Sequence, residues 1–414
     1  MKTINKDSAA PATAGFTTRA VRAGLESDSV TGSVVPPIHL SATFAFKGFG
    51  EKRNYDYTRS GNPTRDLLGA AIADLEGGAG AVITATGMGA IALVGHLFPV
   101  GARIVAPHDC YGGSYRLFDA WRRRGELKVD FVNFGDPAAV AAALSTPAAL
   151  VWIETPSNPL LRITDIAAVT RLTHAAGARV LVDNTFLSPG WQRPLELGAD
   201  LVVHSTTKYL NGHSDVVGGA VVARDRADLD QLCWWANCLG LTGAPFDSFL
   251  TLRGLRTLNA RLDVHGRNAL GLARWLEEQS AVERVYYPGL ESHAGHALAA
   301  RQQSGFGGIV TFELAGGHDA VRAFVSDLRY FSLAESLGGV ESLIAHPATM
   351  THAAMDPEAR RTAGLTDGLL RLSVGIEDLD DLRADLAGGF ERVRAAGIGG
   401  SELAQDRLAR IAGR

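Results

Sequence analysis

The sequence is poor in cysteine. Three thiols, Cys110, Cys233 and Cys238, in 414 residues form neither an even set nor a zinc-ligand spacing. Neither a disulfide framework nor a metal site is supported, and a reducing cytoplasm is the expected home. An excess of one charge is also lacking. The formal net charge is −4 and the pI is near 6.3, which leaves no electrostatic footprint for nucleic acid or an anionic membrane as partner. Residues 1–15 contain lysines but no apolar stretch of signal-peptide type, and their Ala, Pro, Ser and Thr content reads as a loose arm. Between Gly77 and Ala102 there is no Asp, Glu, Lys or Arg, a length that raises the question of a membrane span. Its many glycines, with Thr84, Thr86, His96 and Pro99, argue otherwise. The better parse is a strand over 81–85, a tight Thr86-Gly87-Met88-Gly89 turn and a buried helix over 90–97.

What is present is apolar: 46% of the residues are hydrophobic, ample for a large core and for two domains. Short apolar runs at 103–106, 128–132, 149–153, 179–183 and 201–204 read as strands, and helical patterns at 114–124, 137–144 and 163–176 lie between them. Alternation of this kind predicts an α/β fold with a doubly wound, mostly parallel sheet. Residues 217–223 supply one further strand, of antiparallel sense. A helix over 255–279 then marks a change of pattern. Strands at 308–314, 330–333 and 369–374, with helices at 319–328 and 379–395, predict a smaller C-terminal α/β domain. The expected division is an N-terminal arm (1–62), a ligand-binding domain (63–258) and a C-terminal domain (259–414) whose tail after about residue 396 is dispensable for chemistry.

Two of these strands end in chemistry. The run Leu201-Val202-Val203-His204-Ser205-Thr206-Thr207-Lys208 carries a lysine just beyond its apolar part. Desolvation favours the neutral amine, the form that attacks a carbonyl to make a Schiff base. A lysine whose stem packs at a strand end while its head reaches water explains the segment equally well. Upstream, Arg179-Val180-Leu181-Val182-Asp183 ends in a carboxylate. Parallel strands would open Asp183 and Lys208 on one carboxyl edge, where ligands bind in such sheets. The Gly87-Met88-Gly89 turn offers amides at a helix N-terminus, suited to a phosphate, although a Gly-x-Gly turn is commonly only a tight connection. Ser205 and Thr207 add hydroxyl donors. Tyr111, beside Gly112-Gly113, is a candidate to stack on a ring or simply a packing aromatic. Asn158 sits between Pro156 and Pro159, which fix its backbone, in what could also be an ordinary turn. Arg371 lies inside an apolar strand, where an ion pair would be the usual explanation.

At this point a likeness becomes visible. Asp183-Asn184-Thr185-Phe186, followed by His204-Ser205-Thr206-Thr207-Lys208-Tyr209-Leu210-Asn211-Gly212-His213-Ser214-Asp215, resembles the Cys/Met-metabolism family of pyridoxal-phosphate enzymes, and the likeness runs from about residue 18 to 394. It implies fold-type I, the aspartate-aminotransferase-like architecture, with pyridoxal 5'-phosphate as cofactor. By the same likeness Lys208 holds the cofactor aldehyde, Asp183 pairs with the ring nitrogen, Tyr111 stacks and assists proton transfer, and Gly87, Met88, Ser205 and Thr207 cup the phosphate. Tyr57 and Arg59, in Asp56-Tyr57-Thr58-Arg59, would reach the phosphate of a neighbouring subunit. The implied assembly is a dimer that shares its active sites, paired into a homotetramer. Asn158, Glu335, Ser336 and Arg371 fall on the substrate side, with Arg371 as clamp for an α-carboxylate.

The activity implied is gamma-replacement: the acyl group of an O-acylhomoserine, most simply O-succinyl-L-homoserine, is exchanged for L-cysteine to give L-cystathionine. Gamma-elimination from cystathionine and sulfhydrylation of the acyl ester are rivals on the same scaffold. A cofactor-free Rossmann-like binding protein is the rival of another class. One departure matters. Ser60 stands where many replacement enzymes of the family carry a second basic residue, which leaves Arg116 as the candidate for the succinyl carboxylate. The context around Trp234-Trp235, Asn237, Thr242-Gly243 and Phe246-Asp247-Ser248 resembles the replacement members instead.

Overall fold

A computed structural model of the chain describes residues 14–351, 360 and 363–398. The expected loose start and the tail after about 396 lie almost wholly outside the described residues. The chain forms two compact units: one runs to Thr155 and resumes over Thr164–Ala260, and the other comprises Pro156–Ile163 and the chain from Arg261 onward.

In order, the first unit contains α1 (Phe16–Arg22), α2 (Pro63–Glu76), β1 (Gly80–Thr84), α3 (Gly87–Gly95), β2 (Arg103–Pro107), α4 (Gly112–Arg123), β3 (Lys128–Val132), α5 (Pro137–Ala143), β4 (Leu150–Glu154), α6 (Ile166–Ala175), β5 (Arg179–Asp183), α7 (Ser188–Trp191), β6 (Leu201–Ser205), β7 (Gly219–Ala223), α8 (Arg226–Leu239) and α9 (Pro245–Leu255). Seven strands make one sheet in the order β1-β7-β6-β5-β4-β2-β3. Pairing is parallel from β6 to β3, while β7 runs antiparallel to both β1 and β6. β1, β4 and β7 are buried along their whole length, the pattern of a sheet covered by helices on both faces. The uncharged stretch after Gly77 is therefore core, divided between β1 and α3. No helix among the described residues is long and apolar enough to cross a membrane.

Helix α2 was not anticipated, because its start reads as a polar turn. The signals are local caps. The Asn62 side chain accepts from the amides of Thr64 (2.9 Å) and Arg65 (3.3 Å), Pro63 opens the first turn, and Gly77 closes the helix at φ 80°. Such a cap contributes about 1 kcal/mol. The helix expected over 255–279 is found over Leu258–Glu277, and its first expected residue, Leu255, instead ends α9. Gly254 is pressed against the main chain of Asn211, where a Cβ would collide with a carbonyl. The amide and hydroxyl of Thr257 both donate to the Gly254 carbonyl, at 3.1 Å each, which closes α9 before α10 (Leu258–Glu277) begins. The two units change over in the first turn of α10.

The second unit adds β8 (Val282–Tyr286), α11 (His296–Gln302), β9 (Ile309–Leu314), α12 (Gly317–Val325), β10 (Ser332–Leu333), β11 (Leu343–Ala345), β12 (Leu369–Ser373) and α13 (Leu379–Ala395). Its sheet runs β10-β11-β12-β9-β8, parallel only between β10 and β11. The expected strand over 330–333 shrinks to two residues, and β8 and β11 were not anticipated. Phe312, Phe324 and Phe390 stack edge to face at the core, with centroids 5.7 and 4.9 Å apart. The loop Pro156–Ile163 joins this unit because Thr311 Oγ1 donates to the Pro159 carbonyl at 2.7 Å.

Within α10, His265 is fully buried and its Nδ1 lies 2.7 Å from the Val374 carbonyl at the end of β12. Burial lowers its pKa from 6.5 to about 4, against a smaller upward pull from that carbonyl. Between those values the unfolded chain binds a proton that the folded unit refuses, so stability is present above the unfolded value and is lost on acidification. Acidifying from neutral pH to about pH 4 should cost on the order of 3 kcal/mol through this group. Denaturant midpoints compared between wild type and His265→Asn check this: the variant should lose part of the acid-side decline, and equal slopes would refute it.

Candidate active site

Strand β6 leaves the core at Ser205, and a turn over 206–210 follows. Lys208 sits in this turn, half-buried, with its amide 3.3 Å from the Ser205 carbonyl and its own carbonyl accepting from Gly212 at 2.8 Å. The return through β7 is tight. Thr206 donates to the Gly218 carbonyl at 3.0 Å, and the Gly218 amide donates to Thr207 Oγ1 at 3.0 Å. A Cβ on Gly219 would collide with the Thr86 carbonyl, so glycine there lets the β1–α3 turn and the end of β6 share one small space.

Helix α3 begins in that space. Thr86 caps it by accepting from the Gly89 amide at 2.8 Å, and its carbonyl accepts from Ala90 at 3.1 Å. The amides of Gly87 and Met88, in the first turn, have no acceptor within the helix, which suits an anion. A Cβ on Gly87 would stand 2.9 Å from Ser205 Cβ. The helix start and the end of β6 therefore meet at van der Waals distance, which sets the amides of Gly87 and Met88 beside Ser205, while the Thr207 hydroxyl also lies 3.3 Å from the Gly218 carbonyl. The residues fit a phosphate cradle.

Asp183 ends β5 and accepts from the Thr185 amide at 3.0 Å. Thr185 Oγ1 in turn accepts from the Ser205 amide at 2.9 Å, which ties β5 to the cradle. Burial pushes the Asp183 carboxyl up, while its hydrogen bonds with Thr185 pull it down. A carboxylate here fits the protonated nitrogen of a pyridine ring. Tyr111 precedes the first turn of α4 and remains 41% exposed. A Cβ on Gly113 would lie 2.5 Å from Tyr111 Cε1 and 2.8 Å from Met88 Sδ. The paired glycines, expected to admit a ligand, thus also make room for the tyrosine ring itself.

One residue of this site escaped the sequence reading. Glu154 ends β4 directly beside Asp183 in the parallel register, yet it reads as the first residue of a Pro-rich turn. A carboxylate closing an apolar run, the pattern that singles out Asp183, was the available signal. Glu154 Oε2 accepts from the Tyr111 amide at 2.7 Å and Oε1 from Trp152 Nε1 at 3.1 Å. Burial first, and the charge of Asp183 second, push Glu154 up to about 8.

Tyr57 and Arg59 lie elsewhere on the first unit, on an exposed segment joined to Thr43 by an isolated antiparallel bridge at Tyr57. The Arg59 guanidinium sits 5.5 Å over the Tyr57 ring, and its Nε donates to Asn237 Oδ1 on α8 at 3.1 Å. Buried Arg65 holds this segment from behind, donating to the carbonyls of Thr58 (2.6 Å), Arg59 (3.3 Å) and Gly243 (3.1 Å). Ser60 turns its hydroxyl to Asp56 Oδ1 at 2.9 Å, and Arg116 is exposed on α4.

The second unit gathers its own group. Arg371, 3% exposed on β12, donates through Nη1 to Asn158 Oδ1 at 2.9 Å and through Nη2 to the Ser336 carbonyl at 2.8 Å. These partners are neutral oxygens, where an ion pair was the structural alternative. Ser336 holds φ 93°, a conformation costly for any residue with a Cβ. Gly338, two residues on, is anchored by its amide to Ser373 Oγ at 2.9 Å. Glu335 is exposed.

Comparison with known proteins agrees with this chemistry. The model of the Cys/Met metabolism PLP-dependent enzyme family matches residues 17–391. Cystathionine gamma-synthase of Escherichia coli K12 is 57% identical over 383 residues, covering 92% of this chain and 98% of that protein. Cystathionine beta-lyase of Coxiella burnetii is 47% identical over 371 residues, covering 89% and 96%. The crystal structure of cystathionine gamma synthase from Xanthomonas oryzae pv. oryzae, in complex with aminoacrylate and cysteine, superposes with a TM-score of 0.91 at 62% identity, covering 92% of this chain and 99% of that one.

Gly87→Ala tests the cradle. The new methyl group must push Ser205 or the start of α3 aside by several tenths of an ångström, at a cost of about 1–3 kcal/mol. Retention of pyridoxal phosphate should fall roughly 5- to 100-fold, read from visible absorbance after dilution, with far-UV circular dichroism unchanged. Wild-type retention would show that α3 and Ser205 do not close on the phosphate.

Proposed function

The chain belongs to the Cys/Met metabolism family of PLP-dependent enzymes, and from that premise we propose that it catalyses gamma-replacement on O-succinyl-L-homoserine with L-cysteine, giving L-cystathionine and succinate. The observation that carries this reading is the near full-length identity of 57% and 62% to two cystathionine gamma-synthases, against 47% to a beta-lyase. The fold is that of a fold-type I enzyme, and its cofactor is pyridoxal phosphate.

When bound, pyridoxal phosphate supplies an electron sink for negative charge developing on the substrate amino acid. Lys208 Nζ would hold the cofactor aldehyde, and its free amine would move protons at the substrate's Cα and Cβ. Asp183 accepts the ring N–H. The hydroxyls of Ser205 and Thr207, with the amides of Gly87 and Met88, bind the phosphate. Tyr111 covers the ring and keeps water from it. Arg371, braced by Asn158 and Ser336, takes the substrate's α-carboxylate as a planar fork. Glu335 and Ser336 line the substrate side. Arg116 takes the distal carboxylate of the succinyl group, a role supported by the Ser60 hydroxyl being committed to Asp56.

The same reading assigns Tyr57 and Arg59 to a neighbouring subunit's phosphate, in a dimer that pairs into a homotetramer. The exposure of large apolar side chains along the same arm supports it: Val30, Leu40 and Phe49 stand in water in the single chain, as interface residues do.

Two measurements test these assignments. Offered O-succinyl-L-homoserine with and without L-cysteine, then L-cystathionine alone, the protein should form cystathionine as the main product of the first pair. Rapid release of 2-oxobutanoate or pyruvate from cystathionine, with little turnover of the acyl ester, would identify a lyase instead. Mixing Arg59→Ala with Lys208→Ala subunits should restore part of the activity that each lacks, since a mixed dimer keeps one intact site. No recovery after verified subunit exchange would mean that each chain completes its own site.

A further inference from the structure

The parallel register places Glu154 and Asp183 side by side at the ends of β4 and β5. Two carboxylates in so buried a position oppose one another, and such an arrangement persists where it serves a purpose. Glu154 is only 7% exposed, and each of its oxygens has a donor: the Tyr111 amide on Oε2 and Trp152 Nε1 on Oε1. Tyr111 is the N-cap residue of α4 and supplies no side-chain cap of its own. A carboxyl oxygen from the neighbouring strand satisfies its amide instead, at the end of the helix where negative charge is favoured.

We propose that Glu154 is the positioning residue for the cofactor ring: it locks the backbone of Tyr111, and thereby the angle of the tyrosine ring, to the strand end beside Asp183. This rests on the reading of Tyr111 and Asp183 as ring contacts. The lock has a rigid base. The Trp152 indole that shares the carboxyl is buried in the sheet and meets Phe118 of α4 edge to face at 5.2 Å, so Glu154, Trp152 and α4 move as one piece. The ring of Tyr111 lies against Gly113, where a Cβ would collide with it and with the Met88 sulfur. The charge is consistent with the same arrangement. Burial and the charge of Asp183 raise Glu154, Asp109 adds to that, and the Tyr111 and Trp152 donors offset part of it.

The test is the circular dichroism of the bound cofactor's visible band, which reports ring orientation independently of turnover. Glu154→Leu keeps the bulk and removes the acceptor, and its band per bound cofactor should fall by half or more. Glu154→Gln keeps an oxygen for the Tyr111 amide and should restore most of the band. Tyr111→Ala separates the two layers of the argument. If it leaves the band unchanged, Tyr111 does not set the ring and the underlying reading fails, taking the proposal with it. If Tyr111→Ala alters the band while Glu154→Leu does not, the proposal alone is wrong. Should Glu154→Leu fail to fold, Glu154→Asp replaces it, because a side chain one methylene shorter cannot hold the Tyr111 amide in place. A weaker band in Asp than in Gln supports the lock, and equal bands overturn it.

Discussion

A parallel sheet buried on both faces can release polar side chains into a site only at its strand ends, and the chemistry of the first unit depends on that constraint. β4 is apolar until Glu154, β5 is apolar from Val180 until Asp183, and β6 is apolar until His204 and Ser205. Their parallel pairing brings those strand ends to one edge. The antiparallel β7 then crowds the same edge from the β1 side, where Gly218 and Gly219 permit the approach. The donors for an anion, the carboxylate for a cationic ring and the lysine in the turn follow from where the strands stop.

Much of this was legible because it is local. Asp183 and Lys208 each follow a short apolar run, and that pattern states both the strand and its polar exit. The further strand over 217–223 was read in the antiparallel sense that β7 shows. Motif likeness then supplied the roles that the residue types alone left open. What resisted reading was relational. Glu154 closes an apolar run as Asp183 does, but its place beside Asp183 and beneath the Tyr111 amide depends on register and cannot be seen along the chain. Gly113 reads as freedom for a ligand but is also space for Tyr111. Arg371 in a strand suggests a carboxylate partner, and the bonds to Asn158 and the Ser336 carbonyl could not be read from it. Both partners are distant in sequence, and one acts through its main chain.

The second unit shows the same economy in a different form. Ser336 presents its carbonyl to Arg371 from a left-handed conformation, and the turn beyond it is fastened at two points. Gly338 is held by Ser373 Oγ, and Ser342 is held through both its amide and hydroxyl by Glu377, at 2.7 and 2.8 Å. Strain at one residue persists because its neighbours are over-determined. An Arg aimed in this way can recognise a planar anion with little reorganisation.

The buried guanidinium of Arg65 has a further consequence, which concerns assembly. Its bonds to the carbonyls of Thr58, Arg59 and Gly243 fix the segment that carries Tyr57 and Arg59 while the chain is still alone. The conformational entropy of ordering that segment is then lost during folding of the monomer and does not weigh on association. A second copy would meet a template already shaped, so its affinity would reflect surface complementarity and its rate of docking would not wait on a disorder-to-order step.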